Sequence, residues 1–189
     1  MKAPLLSESL IIRVAFSFLI LFSAGSCKKN EQVESHTKNE VFGNNIQEEI
    51  EAHFFIAIAN VSKKMISKSQ IAQQKALHIE VKELSKKIET EQYNVLQNIT
   101  KIANKKLIII TEINAAGNQD LYELMKADKS NFDKIYLNAM TDALAEEIGL
   151  LEKITKDTKD VGILKLVNSF LPKQYELLKL TEKFKKEIN

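Results

Sequence analysis

Apolar residues recur at every third or fourth position along most of the chain after residue 45, and this spacing predicts long amphipathic helices. The first predicted helix covers residues 46–76 and the second covers 81–104. A third is predicted over 130–154, and a fourth begins near residue 160. Because only a few residues separate the first two helices, we expect them to be antiparallel neighbours.

The segments between these helices have patterns of their own. Residues 107–110, with the sequence LIII, are β-like in composition, but no second strand is available to pair with them. We therefore predict an extended connector whose isoleucines fill the core, followed by a short helix over 119–126. Ser130 and Asp133 match the S-x-x-D pattern that starts helices, and Pro172 is expected to kink or divide the fourth helix.

Four long amphipathic helices with few interruptions predict an all-α fold. The chain has two prolines and five glycines in 189 residues, so little in it breaks a helix. The predicted architecture is an antiparallel, ferritin-like four-helix bundle over residues 46–189. The short extra helix and the extended connector lie between its second and third long helices.

The first 26 residues have a different pattern. Lys2 and Arg13 precede an apolar run, VAFSFLILFSA, and the small residues Gly25 and Ser26 follow it. A basic start, a short apolar run and small residues before a cleavage site are the layout of a secretory signal peptide. The run is shorter than the roughly 20 apolar residues that span a membrane. We predict a signal peptide over 1–26, with a single anchoring helix as the alternative.

The only cysteine of the chain, Cys27, follows directly. The stretch AGSC resembles the lipobox of bacterial lipoproteins, although Ala24 stands where leucine is usual. The resemblance implies that the chain is cut before Cys27 and that this residue carries acyl chains such as palmitate. A lone cysteine in an exported protein has no internal disulfide partner, and several acyl chains on one residue hold a protein at a membrane. We therefore predict a lipoprotein of the cell envelope, anchored in the outer membrane or facing the periplasm.

The mature chain would begin with a polar segment and has almost no net charge. Residues 27–45 are predicted to be the lipid anchor and a flexible tether, because they lack helical spacing. Without residues 1–26 the chain has 25 basic and 24 acidic side chains, a net charge of +1. All of these basic side chains are lysines, whereas recognition of guanine and phosphate favours arginine. No nucleic-acid partner is expected.

Four stretches of the predicted bundle resemble a bacterial family in their order and spacing. These stretches are SQIAQQKAL, FDKIYLNAM, LLEK and LPKQYELLKL, and the family is called domain of unknown function 4142. The resemblance covers residues 52–183, and its most specific part is FDKIY at 132–136, which matches the family's F-D-x-x-Y. It implies a ferritin-like four-helix fold and a class often labelled outer membrane proteins. No established activity comes with it.

The chain departs from the family pattern where that pattern has histidines. Glu91-Gln92 and Ala143-Leu144 occupy positions at which the family commonly has Asp-His, and Leu177 occupies a third histidine position. Ferritin-like metal centres use inward-facing Glu-x-x-His pairs, and this sequence has none. The resemblance therefore implies that any metal site of the family is missing or remodelled here.

Three residues remain as candidates for a remodelled metal site. Glu91 follows Leu84 by one heptad, Glu147 is on the inward face of the third predicted helix, and His53 is on the first. Together they would form a sparse carboxylate-imidazole site. The alternative for each is structural: a glutamate at the core edge that pairs with a lysine, or a histidine that is only hydrogen-bonded. We predict no metal and no cofactor.

The sequence contains no recognisable catalytic constellation. An acylated Cys27 cannot be a nucleophile, the serines have no apparent histidine partner, and scattered glycines make no phosphate-binding loop. We predict a non-enzymatic protein that binds or supports an envelope protein or ligand. The alternatives are a ferritin-like metal-binding or redox protein with a remodelled site, and a carrier of a small apolar ligand.

Overall fold

The computed structural model describes residues 34–111 and 114–188, and the side chains of 46–111 and 119–188. Within these ranges the chain forms five helices and no strand, which confirms the predicted all-α class. The helices are α1 Glu34–Lys75, α2 Ile79–Lys105, α3 Asn114–Lys126, α4 Lys129–Asp157 and α5 Val161–Ile188. The chain divides into two units, Met1–Val41 and Phe42–Asn189, and the bundle belongs to the second.

Helix α1 begins earlier than its apolar spacing predicts. It starts at Glu34 rather than at residue 46, so residues 34–45, predicted to be a flexible tether, are helical. The segment contains no proline, and once a helix has formed, each further residue adds a backbone hydrogen bond at little cost. The predicted signal peptide and Cys27 lie outside the described residues.

Helices α2 and α5 run antiparallel, as two ion pairs show. Lys87 of α2 pairs with Glu176 of α5 at 2.6 Å. Glu91, one turn after Lys87 on α2, pairs with Lys173, which is one turn before Glu176 on α5, at 3.3 Å.

Helices α1 and α2 are antiparallel neighbours too, as predicted. Gln73 of α1 bonds to Glu89 of α2 at 2.6 Å, and Gln70 bonds to Tyr93, one turn later on α2, at 3.1 Å.

Helices α1 and α4 are also antiparallel. Ser69, near the end of α1, bonds to Tyr136 near the start of α4 at 3.0 Å, whereas Glu51 bonds to Thr158, just past the end of α4, at 2.6 Å. Helices α2 and α4 therefore start at the same end of the bundle, and residues 106–128 cross its length. A single long crossover is the connectivity of ferritin-like bundles.

The apolar core consists of two clusters, one toward each end of the bundle. The turn-end cluster, at the α1–α2 turn, contains the buried residues Val61, Met65, Ala72, Ala76, Val81, Leu84, Ile88, Leu124, Phe132, Tyr136, Leu137, Met140, Leu144 and Leu177. The connector-end cluster, at the chain that follows α2, contains Phe54, Phe55, Ile58, Ala59, Val95, Ile99, Ala103, Leu151, Ile154, Ile163, Leu166, Val167 and Phe170. Each of the four long helices contributes to both clusters, so both hold the four helices together.

The connector after α2 has no regular secondary structure over residues 108–111, as predicted. Ile108 and Ile110 pack against the connector-end cluster, which confirms that isoleucines of this segment reach the core. Leu107 and Ile109 do not, because they are 90% and 81% exposed. None of the described helices has an apolar stretch long enough to span a membrane.

Two details differ from the sequence prediction. Helix α5 is continuous from Val161 to Ile188 and is not divided at Pro172, because buried side chains on both sides of the proline, Phe170 and Leu177, pack in the bundle core. Helix α4 begins at Lys129, and the Asp133 side chain does not cap it. That carboxylate bonds to the backbone of the α1–α2 turn instead.

Candidate functional site

Four buried polar side chains lie between the two apolar clusters, one on each long helix. They are Ser62 on α1, Gln92 on α2, Glu147 on α4 and Gln174 on α5, and each is 0% exposed. On every helix the polar residue falls between members of the two clusters, as Gln92 falls between Ile88 and Val95. We call these four residues the polar layer.

The amide of Gln92 joins three helices of the bundle. Its Nε2 donates to Glu147 Oε2 at 2.7 Å and to Gln174 Oε1 at 3.0 Å. Both acceptors lie on helices that face α2 across the core. Gln92, Glu147 and Gln174 therefore form a hydrogen-bonded unit, with a neutral amide as the donor to the only carboxylate of the layer.

Each member of the polar layer retains one atom that has no hydrogen-bond partner among the described residues. These atoms are Ser62 Oγ, Gln92 Oε1, Glu147 Oε1 and Gln174 Nε2, and in the described part of the chain no other buried side-chain nitrogen or oxygen shares this property. A buried polar atom without a partner costs roughly 1–3 kcal/mol. Such groups cluster where a protein holds a ligand, a water or a proton, which makes the layer the candidate functional site.

Burial raises the pKa of Glu147 from its ordinary value of 4.5 to about 8. The hydrogen bond from Gln92 and the nearby Ser62 hydroxyl act in the opposite direction and lower it in part. A carboxyl group with this pKa is protonated at neutral pH, and its O–H can donate to a neighbouring oxygen of the layer. The chemistry that the layer offers is a single proton held inside the bundle.

The structure does not assemble His53, Glu91 and Glu147 into a metal site. His53 is exposed on α1, and Glu91 pairs with Lys173, so only Glu147 lies in the polar layer. Within the described residues, no group of three or more histidine, cysteine, aspartate or glutamate side chains could hold a metal ion. Glu91 thus behaves as the structural alternative predicted, a core-edge glutamate paired with lysine.

The sequence placed Glu91 in the core, but its neighbour Gln92 is the buried residue. The inference rested on a strict seven-residue repeat from Leu84. A straight α-helix drifts by about 20° per heptad, so an eleven-residue repeat follows its buried face more closely. Val81, Gln92 and Ala103, spaced by eleven, are all buried in α2. Ser62 and Gln174 could have been found by the same signal, a polar residue within a buried helical stripe.

The most specific part of the family resemblance, FDKIY at 132–136, has a structural role. Asp133 accepts hydrogen bonds from the backbone N–H of Leu77 and of His78, at 3.1 and 2.9 Å. The His78 ring nitrogen Nδ1 lies 2.6 Å from the same carboxylate. Asp133 therefore satisfies backbone donors at the start of α2 and fixes the α1–α2 turn to α4.

The two aromatic residues of this motif complete the attachment. Phe132 and Tyr136 are fully buried and stacked, with ring centroids 6.5 Å apart, and Lys75 lies over the Phe132 ring. The Tyr136 hydroxyl bonds to Ser69 of α1 at 3.0 Å. Burial raises the pKa of Tyr136 above its ordinary value, so the phenol stays neutral.

A third buried carboxylate, Glu51, lies at the connector end of the bundle. Its Oε2 is 2.8 Å from Lys106 Nζ, and Thr158 Oγ1 donates to its Oε1 at 2.6 Å. Lys106 also pairs with Asp160 at 2.6 Å, and Asp160 accepts a hydrogen bond from the backbone of Ile163 at the start of α5. We call Glu51, Lys106, Thr158 and Asp160 the Glu51 network.

The charges of the Glu51 network support one another. Burial lowers the pKa of Lys106, but the hydrogen bonds to Asp160 and Glu51 outweigh it and raise the pKa above its ordinary value. The hydrogen bond from Lys106, together with that from the Ile163 backbone, lowers the pKa of Asp160. The network fastens α1, the end of α2 and the α4–α5 turn, and we interpret it as structural.

The geometry defines a class of protein: a ferritin-like four-helix bundle with a buried polar layer between two apolar clusters. The model of the family described as domain of unknown function (DUF4142) matches residues 43–183, and the chain belongs to that family. The Cu(I)-bound form of CopM is similar in fold, with a TM-score of 0.65 and 19% sequence identity. The match covers 72% of this chain and 96% of that one. No curated protein matches the chain.

The three positions at which the sequence resemblance implied histidines lie in the core. Gln92 and Leu144 are 0% exposed and Leu177 is 1% exposed. Gln92 belongs to the polar layer, and the two leucines belong to the turn-end cluster beside it. At these positions the chain has an amide and two hydrocarbon side chains, and hydrocarbon side chains do not bind metals.

Proposed function

We propose that this protein is a lipid-anchored helical bundle of the bacterial cell envelope that acts by binding and contact rather than by catalysis. The observation that supports it most is the stretch VAFSFLILFSAGSC, an apolar run and two small residues before the only cysteine. The anchor would hold the bundle at a membrane surface, where its outer faces meet lipid or protein partners.

The use of the buried polar side chains supports a contact role. Glu51 and Asp133 serve the fold, since each is bonded to groups that join helices or turns. Glu147 is bonded to an amide, with no nucleophile or imidazole among its bonded partners. A buried acid of this kind can hold a proton, but from its position it affects the stability of the bundle and does not reach a substrate at the surface.

The anchor is tested by labelling cells with a palmitate analogue. We expect the wild-type protein to incorporate the label and to lose 26 residues by mass spectrometry, and Cys27→Ala to do neither. Fractionation alone does not suffice, because an uncut apolar run can itself hold the variant at a membrane. Ser26→Ala, which keeps a small residue before the cut, is the matched control and should be labelled normally. Labelling of Cys27→Ala at the wild-type level would contradict the proposal.

A second candidate function is metal binding, favoured by the similarity to the Cu(I)-bound CopM. Copper(I) prefers thioether, thiolate and imidazole ligands. Among the described residues, Met65 and Met140 are buried in the turn-end cluster, Met125 is 60% exposed on α3, and His78 is bonded to Asp133. Among the described residues, no group of three or more histidine, cysteine, aspartate or glutamate side chains could hold a metal ion. The oxygen atoms of the polar layer would suit only a hard cation.

Metal content and melting decide between the two functions. We expect the purified protein to contain no stoichiometric copper, iron, zinc or manganese by mass spectrometry, and its melting temperature to be unchanged by these metals. The comparison is a double variant that carries both Glu91→Ala and Glu147→Ala. Stoichiometric metal in the wild type that is lost in this variant would replace the contact function with a metal-dependent one.

A further inference from the structure

The end of α2 exposes two large apolar side chains to solvent. Leu107 and Ile109 are 90% and 81% exposed, more than any other large apolar residue of the described chain. Between and after them, Ile108 and Ile110 pack inward on the connector-end cluster. The connector therefore presents a firmly held pair of apolar side chains, which we call the connector tip.

Leu107 occupies a position where the backbone favours glycine. Ile108 N–H bonds to Ala103 O at 2.9 Å and Leu107 N–H bonds to Asn104 O at 3.1 Å, the two hydrogen bonds of a Schellman motif. The residue at this position adopts a left-handed conformation, and Leu107 has φ 59°. A leucine there is conformationally strained and buries almost nothing. Leu107 therefore stabilises the fold neither by its backbone conformation nor by its packing. This points to a role in binding.

The segment that leads to the connector tip carries lysines and no acidic residue. From residue 92 to residue 111 the sequence has no aspartate or glutamate and three lysines. Lys101 and Lys105 are exposed, whereas Lys106 is bound in the Glu51 network. Exposed apolar side chains beside lysines match an anionic lipid surface, where the apolar groups enter the headgroup region and the ammonium groups meet phosphates.

The connector tip lies at the end of the bundle where α1 enters. Lys106, directly before Leu107, is 2.8 Å from Glu51 on α1. The bundle unit begins at Phe42, nine residues before Glu51, and nine helical residues span about 14 Å. Cys27, the proposed lipid anchor, precedes Glu51 by 24 residues. Within the bundle unit, the chain therefore enters α1 at the end that exposes the tip.

We propose that Leu107 and Ile109 insert into an anionic membrane surface, while the ammonium groups of Lys101 and Lys105 contact the lipid phosphates. This contact sets the orientation of the anchored bundle. The proposal rests on the lipid anchor proposed above. Its partner is the lipid surface itself, and a protein partner at the same tip is an alternative that the experiment distinguishes.

The test uses the lipidated full-length protein in vesicles. Ile109→Cys is labelled with an environment-sensitive fluorophore, and Met125→Cys is the matched control. Met125 is an exposed apolar residue at the opposite end, where Lys75 bonds to its backbone carbonyl. The labelled proteins are reconstituted in phosphatidylcholine vesicles with or without phosphatidylglycerol. Flotation of the vesicles reports whether the protein is anchored.

In anionic vesicles we expect the label at position 109 to shift to shorter wavelength and to brighten by about threefold, because it leaves water for the headgroup region. The label at position 125 should not change. Replacing both Lys101 and Lys105 by Glu should remove most of the gain at position 109, as should high salt. A smaller gain is expected in pure phosphatidylcholine.

Three results would overturn the proposal, each in a different way. If the protein floats with the vesicles but the fluorescence of the label at position 109 changes no more than that of the label at 125, the protein is anchored and the proposed lipid contact is wrong. If the protein does not float, the anchor fails and this proposal fails with it. If the label changes only after envelope proteins are added, the tip contacts a protein and not lipid.

Discussion

Glu51 and Glu147 are both buried carboxylates of the bundle, 4% and 0% exposed, but their surroundings differ in kind. Glu51 has a lysine at 2.8 Å and a hydroxyl donor at 2.6 Å. Glu147 has one amide donor at 2.7 Å and a second oxygen without a partner. A buried charge is tolerated when it is paired, and an unpaired carboxyl stays neutral instead. Glu51 is therefore a paired carboxylate that holds the fold, whereas burial favours the protonated form of Glu147.

The largest expected effect is the pH dependence that Glu147 gives to folding. Its pKa is about 8 in the folded chain and near 4.5 when unfolded. The folded state then binds more protons between these values, so the contribution of Glu147 to the free energy of unfolding is highest below pH 4.5 and is lost as pH rises to about 8. The full difference in pKa corresponds to about 5 kcal/mol, which is an upper bound.

Glu147→Gln isolates this contribution. The amide is neutral at every pH, so the variant should match the wild type near pH 5 and exceed its stability above pH 8 by several kcal/mol. Denaturant unfolding of both proteins across this range measures the difference. Two stability curves that stay parallel from pH 5 to pH 9 would show that Glu147 does not hold a proton in the folded state.

The next largest effect is the opposite response of Glu51 to the same substitution. Glu51→Gln should destabilise the protein by about 2–3 kcal/mol at neutral pH, because Lys106 and Thr158 lose a charged partner. Urea unfolding at pH 7 is the measurement. Glu146→Gln, at an exposed glutamate beside Glu147, is the control and should change stability by less than about 0.5 kcal/mol. If Glu51→Gln left the free energy of unfolding unchanged, the two carboxylates would not differ in their contribution to the fold.

A smaller effect is expected from the donor of the polar layer. Gln92→Leu leaves Glu147 and Gln174 without their shared partner and should cost about 2 kcal/mol. Replacing Gln92, Glu147 and Gln174 together by Leu should be neutral or stabilising by about 1–2 kcal/mol, because the three polar groups that depend on one another are removed together. Thermal and urea unfolding compare the two variants. A triple variant less stable than the single one would mean that the layer as a whole supports the fold.

The sequence predicted the helices but not the partners of the polar residues in them. The spacing of apolar residues is local and placed four long helices, the short helix and the connector. The role of Asp133 was not accessible in this way, because its partner His78 is 55 positions away in the chain. Gln92 and Gln174 meet only when α2 and α5 are packed, and their register depends on the drift of each helix face.

The smallest effect is expected at Ser62, whose hydroxyl lowers the pKa of Glu147 although it has no partner by strict hydrogen-bond geometry. Ser62→Ala should change stability at pH 6 by no more than about 0.5 kcal/mol. It should raise the pKa of Glu147, so that the fall in stability extends to higher pH. Ser69→Ala is the control, since Ser69 bonds to Tyr136 and not to the layer. That control should cost about 1 kcal/mol at every pH and leave the pH range of the transition unchanged. A Ser62→Ala curve whose transition ends at the wild-type pH would show that Glu147 interacts with Gln92 alone.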